Sequence, residues 1–206
     1  MKSLEKKVWL VARTSSSSGF QKPLEHVMIF IDGGYLRKLF DDLFKQDNIN
    51  YTKVKNSLLK WYNGFPQNPF RANLIRIYYY DGIADEKEDP DVFARHREYF
   101  EAIEKDNFNL SVVLGEAVKL PNGTFRQKGV DILLAIDAVS MAYLDHYDSG
   151  LFLLGDRDFI PLIETVKSAG KKTFGFNYIE NVSLELTRTF DFRLAFNKKI
   201  MEGWIK

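Results

Sequence analysis

Two aspartates separated by one arginine follow a short apolar run in LFLLGDRDF, residues 151–159. A strand that ends in polar residues is ordinary, and aspartate is a good helix cap. Two charges so close together exceed what one cap requires. The pattern recurs along the chain: Asp32 follows MIFI, Asp81 follows IYYY, Glu116 follows VVLG, and Asp156 and Asp158 follow LFLL. Asp131 opens a long apolar helix just after Lys128-Gly-Val. Carboxylates at the ends of neighbouring strands lie about 5 Å apart at the backbone. In a low dielectric they repel unless something positive neutralises them. Oxygen ligands without cysteine or clustered histidine suit a hard cation, Mg²⁺ or Mn²⁺. A carboxylate-held divalent ion with open positions is the usual equipment for phosphodiester hydrolysis.

Asp32, Asp131, Asp156 and Asp158 are therefore the candidate ligands. Each has a plainer reading: Asp32 before Gly-Gly suits a turn, Asp156 and Asp158 suit a cap, and Asp131 suits the first turn of a helix. Asp81 and Glu116 read as solvated turn residues. Asp137 lies about 240° round the helix from Asp131, so the two do not share a face. It is read as a buried acid paired to a cation behind the ligands.

These acids need elements to carry them. Continuous apolar runs at HVMIFID, ANLIRIYYYDG, FNLSVVLGEAV, GLFLLGD and KTFGF read as strands. Helical patterns separate them: from Tyr35 to about Phe44, from about Thr52 to Tyr62, over DPDVFARHREYFEAIEKDN with Pro90 in its first turn, over GVDILLAIDAVSMAYLDHYD and over DFIPLIETVKSAGKK. In the long helix, Ile132, Ala135, Ile136, Val139 and Tyr143 fall at helical spacing. KLPNGTFRQK reads as a small hairpin or loop and SLELTRTFDFRLAF as helix. Strand and helix alternate, and the strands are apolar throughout. The expected fold class is α/β, a mostly parallel sheet of about five strands with helices on both faces. Sites in such sheets form beyond the carboxyl ends of the strands, where strand order reverses. Residues 1–24 read as an N-terminal extension with a Ser-rich linker, and residues 25–206 as one domain.

Composition narrows the chemistry. The 206 residues carry a net charge of +1, with 45% hydrophobic and 28% charged residues and no cysteine. Thiolate nucleophiles and Cys-based zinc sites are excluded, and a reducing cytoplasm is the expected setting. No apolar run approaches the roughly 20 residues of a membrane span, so no membrane partner is expected. His26, His96 and His146 are scattered, which argues against a zinc hydrolase. No P-loop, G-x-G-x-x-G or G-x-S-x-G sequence occurs.

MIFIDGGYL, KGVDILLAIDAVSMAY and LFLLGDRDFIPLIETVKSAGKKTFGF, with the later SLELTRTFDF, resemble in order and spacing the NYN domain, LabA-like branch, of the PIN-like nucleases. The likeness spans about Val27 to Phe196. It implies a three-layer Rossmann-like PIN fold and hydrolysis of RNA, or less favourably DNA, at a Mg²⁺ or Mn²⁺ site held by Asp32, Asp131, Asp156 and Asp158. Those four would be both metal ligands and catalytic acids. Lys128 matches the family's lysine and would meet a substrate phosphate. The chain departs from the family pattern at three places: Tyr35 stands where asparagine is usual, Gly155 where serine is common, and Arg157 where a small residue is favoured. Tyr35 and Arg157 fall on the substrate side of the site. Arg157 would either bind phosphate or pair with the carboxylates. The competing expectation is a PIN-like module that binds RNA or a protein without cleaving. Association as a homodimer is compatible with either.

Overall fold

The computed structural model describes residues 22–180 and 182–206. The Ser-rich linker expected in the N-terminal extension lies outside the described residues. The elements are β1 (Leu24–Asp32), α1 (Gly33–Phe44), α2 (Tyr51–Gly64), β2 (Arg71–Ala84), α3 (Pro90–Asp106), β3 (Leu110–Lys119), β4 (Phe125–Lys128) and α4 (Val130–Tyr143). There follow β5 (Ser149–Leu153), a 3₁₀ turn (Arg157–Phe159), α5 (Ile160–Ser168), β6 (Lys172–Tyr178), α6 (Leu184–Thr189), β7 (Phe192–Phe196) and α7 (Lys198–Glu202).

The strands form one sheet in the order β4-β3-β2-β1-β5-β6-β7, parallel except for β4. Seven strands stand where about five are expected. One extra strand is the second arm of the Asn-Gly hairpin, whose residues pair antiparallel with β3. The other corrects the helical reading of SLELTRTFDFRLAF. Only Leu184–Thr189 is helix there, and Phe192–Phe196 pairs parallel with β6. Along FRLAF the exposed Arg193 and Ala195 alternate with the more buried Phe192, Leu194 and Phe196, so period two governs once the helix has ended.

Alternation along the central strands feeds two cores. Val27, Ile29 and Ile31 face α1, α2, α3 and α7, while Met28 and Phe30 face α4, α5 and α6. The arrangement is therefore three-layered. Helix α4 is apolar on nearly every side, so periodicity alone does not choose its inner face. The stripe at Ile132, Ile136 and Tyr143 is exposed, whereas Val130, Leu134, Ala138 and Ala142 are buried. No described helix is long and apolar enough to cross a membrane.

At the amino end of the sheet, Glu25 is buried and accepts from the hydroxyls of Tyr62 and Ser149. Lys172 pairs with it at 2.5 Å, so one carboxylate ties β1 to α2, β5 and β6. The residues after α7 close the core: Trp204 is 1% exposed, packs with its ring tilted against Phe196 and donates from its indole to Ser57 at 2.9 Å. Trp204→Ala is expected to lower the unfolding free energy by about 3–5 kcal/mol. Lys199→Ala should change it by less than about 0.5 kcal/mol. Urea denaturation measures both.

Candidate functional site

Strand order reverses at β1, which lies between β2 and β5, with Ile31 opposite Leu153. The carboxyl ends of the adjacent strands β1 and β5 deliver Asp32 and Asp156 to the same edge of the sheet. Asp32 is the last residue of β1 and caps α1, accepting from the Tyr35 amide at 3.0 Å. It is 9% exposed. Burial raises its carboxyl to a pKa of about 7, opposed by the Tyr35 amide and assisted by the charges of Asp131 and Asp81. Asp156 caps the 3₁₀ turn, accepting from the Asp158 amide at 3.1 Å, and both acids are exposed. Asp131, in the first turn of α4, is exposed yet partly desolvated. Burial and then the charges of Asp156 and Asp158 hold its carboxyl above the usual range. Asp32, Asp131 and Asp156 line one cleft of about 640 Å³. Asp158 stands beside it, close enough to act on Asp131. Among the described residues no three acids or histidines are drawn together as a ready-made metal cluster.

Asp81 overturns its reading as a solvated turn residue. It is fully buried and accepts from Arg37 Nε at 2.7 Å and Nη2 at 2.5 Å. Tyr79 Oη, the Gly82 amide and Gln127 Nε2 donate to it at 2.8, 2.7 and 2.5 Å. This network explains Asp-Gly-Gly. A Cβ on Gly33 would lie 2.3 Å from the Tyr79 ring, and one on Gly34 would lie 2.5 Å from the Gln127 amide. Both glycines clear the space through which Asp81 is satisfied. Arg37 and Gln127 escaped sequence reading, because only the fold places β4 and α1 beside β2.

The other predicted residues fall as follows. Glu116 is exposed and pairs with Lys128 at 3.3 Å, and Lys128 lines a neighbouring cavity, not the cleft of Asp32, Asp131 and Asp156. Asp137 accepts from Tyr80 Oη at 3.1 Å; its partner is a phenol, not the expected cation. Arg157 lines the cleft but its ion pair is with Glu185, at 3.7 Å, so it does not neutralise the aspartates. Tyr35 and Gly155 are one feature. A Cβ on Gly155 would lie 2.2 Å from the Tyr35 ring. The tyrosine fills the space a larger residue at 155 would need, and its hydroxyl accepts from the Tyr178 amide at 3.3 Å. Asn177, buried on β6, donates to the Leu154 carbonyl at 2.6 Å and pins the strand end that precedes Asp156.

The sequence model of the NYN domain matches residues 26–195, most of the chain and all four candidate acids. The protein belongs to the NYN domain family. Members of this family fall within the PIN-like nuclease superfamily. The crystal structure of a protein of unknown function, VPA0982, from Vibrio parahaemolyticus superposes on this NYN protein with a TM-score of 0.61 at 18% identity. It covers 88% of this chain and 96% of its own. At that identity the likeness establishes the fold. No curated protein matches the chain.

Two predictions follow from the geometry. Gly155→Ser alone is expected to destabilise this NYN domain by about 1–3 kcal/mol through overpacking. Adding Tyr35→Asn should recover most of that loss, a coupling that a thermal-denaturation double-mutant cycle measures. The second concerns Asp32. Its folded pKa lies above the ordinary carboxylate value, so the folded state binds the proton more tightly than the unfolded chain. Stability of the metal-free protein therefore falls as pH rises from about 4 to 7 and levels off above. Asp32→Asn keeps the cap acceptor and removes the charge. In EDTA it should melt higher than the parent at about pH 8 and nearly equal it at about pH 4.

Proposed function

We propose that this protein is a metal-dependent nuclease of the LabA-like branch, cleaving RNA in preference to DNA at the cleft of Asp32, Asp131 and Asp156. The observation that carries the reading is electrostatic. Acids from β1, α4 and the end of β5 converge on one cleft, and the charges of their neighbours help to raise Asp32 and Asp131 above the usual carboxylate range. An all-oxygen set of this kind fits Mg²⁺ or Mn²⁺. Asp32 and Asp156 would hold the ion from adjacent strands, with the exposed Asp131 and Asp158 turning in to complete the set. When bound, the ion supplies positive charge for the phosphodiester and lowers the pKa of a water. The protein's own part is placement. The Tyr35 amide fixes the Asp32 carboxyl, the Asp158 amide fixes Asp156, and the Arg157 guanidinium stands at the cleft as a donor for a phosphate oxygen. Lys128 would reach substrate only by leaving Glu116, an exposed pair of little strength.

One observation favours the second reading, a module that binds RNA without cutting: the acids are not drawn together as a ready-made cluster. A single experiment separates the two. Labelled single-stranded RNA is incubated with Mn²⁺ and the parent protein, Asp32→Asn, or the double variant Asp156→Asn, Asp158→Asn. Cleavage by the parent, lowered on the order of 100-fold or more in both variants, is the expected outcome. Cleavage that survives in the double variant would place the chemistry elsewhere, and metal-independent binding without cleavage would establish the second reading.

A further inference from the structure

The cleft has a second wall. Arg37 and Lys38 stand one helical turn beyond Gly33 and Gly34 on α1, and both line the cleft that holds Asp32, together with His96 from α3. The acids enter from β1, α4 and the end of β5, whereas these three basic side chains enter from α1 and α3. Arg37 is not paired with any acid of the cleft; its ion partner is Asp81 beneath it. That pairing occupies Nε and Nη2, and the side chain keeps 29% exposure. A guanidinium has five N–H donors, so among the described residues both Nη1 hydrogens and the second Nη2 hydrogen remain for a ligand. Asp81 acts as a brace: it is buried, it accepts from three further donors, and it fixes the plane of the fork. His96 accepts from the Ala84 amide at Nδ1, 3.4 Å away, which leaves Nε2 to carry the proton of the neutral ring. Lys38 is exposed and adds a mobile point charge.

A cleft lined by carboxylates from β1, α4 and the end of β5 and by a braced guanidinium, an ammonium and an imidazole from α1 and α3 suits a ligand with several anionic groups in series. We propose that Arg37, with Lys38 and His96, forms a subsite for a backbone phosphate of a nucleic-acid strand, adjacent to the phosphate that the acidic wall engages. The proposal rests on the reading of the cleft as a phosphodiester site, and it assigns the strand's second contact. Held in plane by its two bonds to Asp81, the guanidinium offers its Nη1 and Nη2 end to a phosphate at a fixed orientation, which a lysine does not.

The test measures fluorescence anisotropy of an end-labelled single-stranded RNA of about 12 nucleotides in Ca²⁺, which occupies oxygen sites. It compares the parent with Arg37→Lys, which keeps a charge opposite Asp81, and with the surface variant Lys38→Ala. Arg37→Lys is expected to weaken binding on the order of tenfold, and Lys38→Ala to weaken it less while lowering the salt slope by about one. A strand whose phosphates are replaced by neutral methylphosphonates should bind both variants and the parent alike. Mn²⁺ affinity, measured by calorimetry without RNA, should be unchanged in both variants. Equal RNA affinity in parent and variants overturns the proposal. So does a loss at Arg37→Lys that persists with the methylphosphonate strand, since that marks a structural role through Asp81. Should the parent bind RNA through Arg37 yet never cleave with Mn²⁺, the nuclease reading fails while the subsite stands.

Discussion

A carboxylate shut away from water controls the working edge of this sheet. Asp81 ends its apolar run in the second strand with no exposure at all, and an unpaired charge there would cost several kcal/mol. Five donors settle it, drawn from α1, β2 and β4. Meeting that demand dictates much else. Arg37 must lean back over the strand, Tyr79 must pass under the first turn of α1, and Gln127 must reach across from the hairpin. Gly33 and Gly34 then have no room for side chains. The helix that Asp32 caps is thereby placed by the needs of a neighbouring acid.

The acids of the cleft are in the opposite condition. Asp81 is neutralised and satisfied, whereas Asp32 and Asp131 sit near like charges, with no basic partner among the described residues. One acid serves the fold and the others are left in tension, which is the arrangement that favours an added cation. The nearest arginines do not discharge that tension, because Arg37 is committed to Asp81 and Arg157 to Glu185.

The departures from the family pattern also change meaning in three dimensions. Tyr35 and Gly155 appear in sequence as two separate losses of polarity. In the fold the ring of one occupies the space vacated by the other. They form a single exchange of shape at the floor of the cleft, and the capping amide of residue 35 still serves Asp32.

Much of the architecture was legible because its signals are local. Apolar runs ending in acids, Pro90 in a first turn and Asn-Gly at a hairpin each act within a few residues. Such signals gave the alternating order and the five inner strands. They missed β7, where a helical start hid a period-two ending, and they marked an outward stripe of α4, since a helix apolar on nearly all sides has no preferred face until a sheet is laid against it. The same limit applies to the acids. The sequence by itself determined that Asp32, Asp156 and Asp158 stand at or just beyond strand ends and that Asp131 opens a helix, because chain direction and hydrophobic runs settle this without reference to neighbours; Asp81, which ends its apolar run, lies within β2, whose pairing continues to Ala84. Only the tertiary structure decided which acids meet water, which meet one another and which is buried with a cation. Those outcomes depend on β1 lying between β2 and β5, and its pairing with β5 joins segments more than a hundred residues apart along the chain (Val27 opposite Ser149).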